Sequence, residues 1–341
     1  MANKDINLPQ EMLAQFPRLR ALLDSSEINQ EFAARDHVAN KSKALFNTFG
    51  LLSLIFMALT LMTAACHFLL HALHIEIPLY LLWIGAASGL LAFVLSLSSH
   101  FLFGFQDEWL KNRFMAERIR QWKFQQFLDG SLVALSQSDH AKFDAELKGR
   151  WAKAKFSFLG TGGMMHDFLN GEEFELFVAP SLCPISDLVQ EMFDVYRYVR
   201  LDYQARYFSS KKETLQALDV WTNAVAKFSL LLAGMLAVAE VVILLINTSA
   251  EESRLGWIVG ASALAAALLS AATRVARSAT AISEETERSI SKWVVFKILA
   301  ERFKRSTSPA ERLECMVETE RVCVAELREF IRTFRKSDYL L

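Results

Sequence analysis

Charge is absent from this chain over lengths that matter. No Asp, Glu, Lys or Arg occurs from Ala44 to Ile75 or from Ile77 to Gln106, and Leu255 to Thr273 is a third uncharged run. A fourth, Phe228 to Ala250, is interrupted only by Glu240. A helix crosses bilayer hydrocarbon in roughly 20 residues, and core helices of soluble proteins seldom go so far without a charge. These gaps exclude an ordinary soluble domain. They predict four spans arranged as two hairpins.

Cysteine is scarce as well. Cys66, Cys183, Cys315 and Cys323 have no paired spacing suited to a zinc site or a secreted disulfide framework. A leader peptide is not expected, because Asp5, Glu11, Glu27, Glu31 and Asp36 leave no apolar stretch of that type near the N-terminus. The net charge of -1 and the lack of a long basic run beyond the membrane flanks point away from nucleic acid. Residue types for catalysis cannot be assembled into a Ser-His-Asp, Cys-His or paired-acid site, so an enzyme is not expected. Gly160-Thr161-Gly162-Gly163 lacks the preceding strand and the following lysine and hydroxyl of a phosphate loop. It reads as a flexible loop. His67, His71 and His74 share a helical face near the outer end of the first span, and no metal or cofactor is expected there.

What is present is apolar and repetitive. Of 341 residues, 52% are hydrophobic and 26 are Phe, with a mean hydropathy of +0.21. Trp109-Leu-Lys-Asn-Arg113-Phe-Met-Ala116-Glu117-Arg118-Ile-Arg120 returns as Trp293-Val-Val-Phe-Lys297-Ile-Leu-Ala300-Glu301-Arg302-Phe-Lys304. Each copy follows a pair of apolar runs, so the chain is built twice. Seven residues make about two helical turns, which puts each tryptophan on the face of its alanine. Arg113 and Glu117, like Lys297 and Glu301, are spaced to pair along the helix, for about 0.3 kcal/mol if exposed. Helix packing alone and a subunit contact or switch latch are both open readings of this repeat.

Lysine and arginine mark the cytoplasmic flanks of spans. Lys41, Lys43, Lys111, Arg113, Lys211, Lys212, Lys227, Arg274 and Arg277 lie outside the hairpin turns, whereas the turns hold Glu76 in one case and Glu251, Glu252 and Arg254 in the other. Both termini and the central region are expected in the cytoplasm. Tyr80, Trp83 and Trp257 then fall near the outer headgroups, where amphipathic rings are favoured.

The expected organisation is a cytoplasmic lead-in helix over 1–43, a first hairpin with its exit helix over 44–130, an irregular connector over 131–184, and a second unit with hairpin and C-terminal helices over 185–341. In the lead-in, Phe16, Leu19, Leu22 and Leu23 group on one side, fitting a mobile or docked segment. The helix from Asp107 to Leu128 is expected to continue the second span without a break. Ser308-Pro309-Ala310-Glu311 carries a capping-box signal for a last helix ending near Lys336.

Inside the spans, Glu240 is the one formal charge, and a carboxylate in lipid is costly enough to suggest pore lining or ion interaction; protonation or hydrogen bonding is the alternative. Gly85-xxx-Gly89 and Gly256-xxx-Gly260 place small residues where helices can approach closely, supporting packing and oligomerisation without specifying either.

Arg200-Leu201-Asp-Tyr-Gln204-Ala-Arg206-Tyr207-Phe208-Ser-Ser-Lys211, together with Trp293 through Lys304, resembles the SLATT domain, the bacterial SMODS- and SLOG-associating two-transmembrane effector domain, and a related family of bacterial membrane domains. Trp109 through Arg120 offers the exit-helix pattern again, without the tyrosine-rich lead-in, and Asp129 to Pro180 is not covered. The resemblance implies a non-enzymatic effector of bacterial anti-phage or conflict systems that perforates or depolarises the inner membrane when a partner sensor detects infection. The resulting expectation is an all-α membrane protein of two transmembrane hairpins with long amphipathic cytoplasmic helices. Its expected partners are the lipid bilayer, further copies of itself, and a cytoplasmic sensor or nucleotide-signal-producing protein. A non-conducting anchor that recruits a cytoplasmic partner is the competing reading.

Overall fold

The computed structural model describes residues 5–6, 8–72, 75, 79–98, 104–159, 164–171, 176–246 and 250–336. Its helices, in chain order, are α1 (Gln10–Gln15), α2 (Arg20–Leu23), α3 (Ser26–Ala72), α4 (Leu79–Leu97), α5 (Phe105–Gln125), α6 (Gly130–Ser138), α7 (His140–Leu159), α8 (Met164–Asn170), α9 (Ser186–Tyr196), α10 (Asp202–Ile246), α11 (Ala250–Ala279), α12 (Ile282–Arg305) and α13 (Pro309–Lys336). No strand occurs among the described residues, apart from an isolated bridge between Asp129 and Ser181. The protein is all-α.

Contacts divide the chain into two compact units, each assembled from separated stretches. One comprises 1–41, 107–214 and 286–335; the other comprises 42–106, 215–285 and 336–341. The second unit holds the apolar parts of α3, α4, α10 and α11, and four helices are long and apolar enough to cross a membrane. Between 11% and 28% of their most apolar windows is buried within the protein. Leu79, Trp83, Phe93, Met235 and Leu245 are exposed. A soluble fold would have to leave this much contiguous apolar surface in water, whereas lipid is its natural solvent.

The first unit is a conventional helical core. α7 illustrates the rule: Phe143, Leu147, Trp151 and Ala154, at spacings of four, four and three, are all buried, so one stripe of the helix faces inward. Trp151 meets Trp122 of α5 with ring centroids 5.1 Å apart. The lead-in segment is part of this core, since Ile6, Leu13, Leu19, Leu22 and Leu23 are buried. Each such side chain contributes about 1.5–3 kcal/mol relative to leaving it exposed.

One local expectation changes. The stretch over 131–184, expected to be irregular, contains most of α6 and all of α7 and α8. Its glycine cluster suggested loops, but Gly149 sits inside α7, where a single glycine costs only about 1 kcal/mol. The segment from Ser186 to Ile246 is helical throughout, with a π turn over Arg197–Leu201 between α9 and α10. That wider turn leaves three consecutive residues, Val199, Arg200 and Leu201, out of solvent. The junction expected to join the second span to its exit helix without a break, like the Gly160–Gly163 loop, lies outside the described residues.

Candidate functional site

Within the membrane unit, the two hairpins pack through gaps left by glycine. A Cβ on Gly260 would overlap the Glu240 carboxyl group, so the missing side chain on α11 is what gives that carboxyl its place. Glu240 is half-buried and forms no ion pair among the described residues. In the other hairpin, a Cβ on Gly85 would lie 2.5 Å from Thr63 Oγ1, and one on Gly89 3.3 Å from Thr60 Cγ2. Hydroxyls satisfy backbone carbonyls across each hairpin: Ser53 donates to Ala92 at 3.0 Å and Ser270 to Ala226 at 2.8 Å. Small residues thus permit contact and hydroxyls bind across it. Gly256 is buried. At the base of the second hairpin, Arg277 donates to the Asp219 carboxylate at 2.7 Å, and the Ser283 hydroxyl donates to the same oxygen at 2.8 Å.

The repeated sequence takes two different environments in the other unit. In the first copy, Trp109 is buried edge-on against Phe330 and Phe334 of α13. Arg113 bridges Glu117 at 2.6 Å and Asp36 of α3 at 2.9 Å, and Glu117 also receives Arg120 at 2.8 Å. Arg120 reaches Asp5 at 3.2 Å. Burial raises the Glu117 pKa, but Arg120, Arg113 and Arg200 lower it more, holding the carboxyl below its usual range. Arg118 lies over Phe177 and Phe168, at 4.6 and 5.2 Å from the ring centres.

The second copy is open. Trp293 is half-buried, with the Lys212 ammonium 3.2 Å and the Lys297 ammonium 5.2 Å from its ring centre. Glu301 pairs with Lys304 at 3.3 Å instead of Lys297, and Arg302 reaches Glu314 at 3.8 Å, all four side chains being exposed. The same spacing gives different partners because Trp293 attracts the lysine that sequence assigns to Glu301. Trp293, Val294, Ile298, Glu301, Arg302 and Glu314 line a groove of about 880 Å³ between α12 and α13.

The tyrosine-rich and exit-helix stretches meet: Phe208 stacks on Phe296 with centroids 5.6 Å apart and planes 10° from parallel. Arg200 forms two hydrogen bonds to Glu320, at 2.9 and 3.0 Å, with both side chains inaccessible to solvent. The Tyr196 hydroxyl donates to the same carboxylate at 2.7 Å. Burial and then Glu320 push the Tyr196 pKa well above its ordinary value. No local pattern announces this triad, since its carboxylate lies 120 residues from Arg200.

Lys123 was equally invisible in the sequence. It is buried and donates to the Leu23 carbonyl and Asn29 Oδ1, each at 2.7 Å, and to the Ile6 carbonyl at 3.3 Å. Among the described residues no group of three His, Cys, Asp or Glu side chains could hold a metal ion. The side chain of His71 and all of His74 fall outside the described residues. No family model, curated protein or solved structure matches this chain.

Proposed function

We propose that this four-span protein is a bacterial inner-membrane effector of the SLATT type, which assembles into a pore or depolarises the membrane when a cytoplasmic sensor triggers it in an anti-phage or conflict response. The carrying observation is the placement of Glu240 against Gly260. A carboxyl group in hydrocarbon is costly, and such residues recur where ions or protons pass. Here the group faces the partner helix of its own hairpin through a gap reserved by glycine. One hairpin pair contains too few helices around that point to enclose water, so conduction requires several copies, brought together by the exposed apolar faces of the spans. Catalysis has no part in this reading. The basic flanks favour a cytoplasmic location for both termini.

Expression in bacteria with a potential-sensitive dye, followed by ion flux in liposomes, tests it. The wild type should dissipate the potential and pass ions, with Glu240→Ala and Gly260→Leu each reducing flux at least tenfold at equal membrane incorporation. An impermeable bilayer with assembled wild-type protein and its activating partner would overturn the reading.

The open groove beside Trp293 favours a second function, a membrane anchor whose α12 and α13 hold a cytoplasmic partner. In that case Trp293→Ala and Glu301→Lys abolish recruitment of the partner, and the span substitutions change nothing.

A further inference from the structure

The uncharged runs of the second hairpin are out of step with each other. Ser270 of α11 donates to the Ala226 carbonyl of α10, and Arg277 donates to Asp219, so the antiparallel pair is in register with Ser270 level with Ala226. The run on α11 ends at Thr273, which is then level with Asn223 of α10, whereas the run on α10 begins only at Phe228. Lys227 is level with Leu269. At 1.5 Å per residue, that places it about 6 Å inside the uncharged run of its neighbour. A hydrocarbon layer about 20 residues deep that began at Phe228 would extend to the level of Glu251, Glu252 and Arg254 of α11. One that begins near Asn223 matches the α11 run and takes in Lys227 instead.

The side chains around this level agree with the second choice. Val220, Ala224, Phe228, Leu231 and Met235 are exposed at spacings of three and four, so one apolar stripe of α10 continues past Lys227 toward the start of the helix. Trp221 beside it is 68% exposed. The polar groups at that height turn the other way: Arg277 donates to Asp219 and to Thr222, and Ser283 donates to Asp219. Apolar groups outside and hydrogen-bonded charge inside suit a helix pair surrounded by lipid.

Lys227 is the exception in the stripe. It is exposed, and it has no hydrogen-bond or ion-pair partner among the described residues, whereas Arg277 is committed to Asp219. Helical side chains lean toward the N-terminus of their own helix. That direction leads from Lys227 away from the hairpin turn, toward Val220 and the level of Trp221. A lysine stem laid along apolar surface with its ammonium at the headgroups is how a cation is accommodated in lipid, and tryptophan favours the same layer. With no carboxylate beside it, the ammonium needs an anion from the bilayer, and a cation at a membrane surface selects anionic over zwitterionic lipid.

We propose that Lys227 lies within the lipid layer and reaches back along α10 to bind the phosphate of an anionic phospholipid, the hydrocarbon boundary of this hairpin being near Asn223 and not at Phe228. The inference stands apart from the effector reading, since a protein that conducts nothing could hold the same lipid.

Two measurements on the full-length protein test it. A nitroxide on Ala224→Cys, in a Cys66→Ala background reconstituted into equal parts of phosphatidylcholine and phosphatidylglycerol, should collide more with oxygen than with a water-soluble nickel chelate. A label on Lys142→Cys of α7 should show the reverse. Lipid retained after mild detergent extraction from the same bilayers, counted by mass spectrometry, should be enriched in phosphatidylglycerol. Lys227→Gln should lower that enrichment about twofold or more, while Lys227→Arg and Lys142→Gln keep it. A label at Ala224→Cys as open to the nickel chelate as that at Lys142→Cys would overturn the boundary. Unchanged enrichment in Lys227→Gln, or an equal loss in Lys227→Arg, would overturn the lipid contact.

Discussion

Lys123 gives the residue scale its clearest consequence. Burial pushes its pKa down to about 7, against the opposing pull of Asp5 and Asp24. The unfolded chain holds that proton to a higher pH than the folded one, so stability rises with pH above 7 by up to about 1.4 kcal/mol per unit. The thiols of Cys183, Cys315 and Cys323 act in the opposite sense, since burial raises each of them and the unfolded chain loses those protons first. The rise is therefore expected between pH 7 and about 8, before free thiols begin to titrate near 8.5. Denaturant titrations of wild type and Lys123→Met should diverge with increasing pH across that window, and parallel curves would show that the amine titrates alike in both states. The Arg200–Glu320 pair was no more legible than Lys123, because nothing in sequence distinguishes a buried charge from a solvated one when its partner lies a hundred residues away. The Glu240 position was legible, because its neighbours are all apolar and one carboxyl stands out among them.

At the scale of elements, the internal repeat shows how one sequence pattern yields two mechanical roles. α13 covers Trp109 through Phe330 and Phe334, whereas Trp293 on α12 stays half open with two lysines around its ring. Truncation should separate them. Trp109→Ala is expected to cost about 3–5 kcal/mol, as for a buried aromatic, and Trp293→Ala less than half of that, measured by thermal unfolding in the same detergent. Equal losses would mean that the two copies are equally structural. A sharper steric demand lies at the start of α6, where a Cβ on Gly130 would collide with the backbone of Leu182 and Cys183. That close passage is fixed by Gly130 N–H donating to the Ser181 carbonyl at 3.0 Å and Ser181 N–H to the Leu128 carbonyl at 2.9 Å. Backbone cannot yield as a side chain does. Gly130→Ala should therefore cost about 3 kcal/mol, the upper end of ordinary overpacking, and an unchanged unfolding midpoint would remove the constraint. The apolar spacing of Phe143, Leu147, Trp151 and Ala154 could have revealed α7 from sequence. Glycine-rich surroundings obscured it, although a helix tolerates one glycine.

For the whole molecule, the sequence was most informative where the solvent changes. A helix in lipid excludes nearly all charge along its length, Glu240 being the exception here, and that exclusion is visible without knowing any contact. The grouping of distant stretches into a single helical core was not visible, because it depends on pairs such as Asp36 with Arg113 and Phe208 with Phe296 that share no local signature. Orientation rests on the basic flanks alone and can be tested directly. A cysteine introduced as Glu251→Cys should react with a membrane-impermeant maleimide in intact spheroplasts, whereas Lys142→Cys, on an exposed face of α7, should react only after lysis. The native thiols contribute little to this contrast, since Cys183, Cys315 and Cys323 are buried and Cys66 lies within the first span. The inverse pattern would put the helical unit outside and contradict a cytoplasmic trigger. Labelling of both positions before lysis would mean that the hairpin turns and the helical unit share one side, which two full hairpin crossings do not permit.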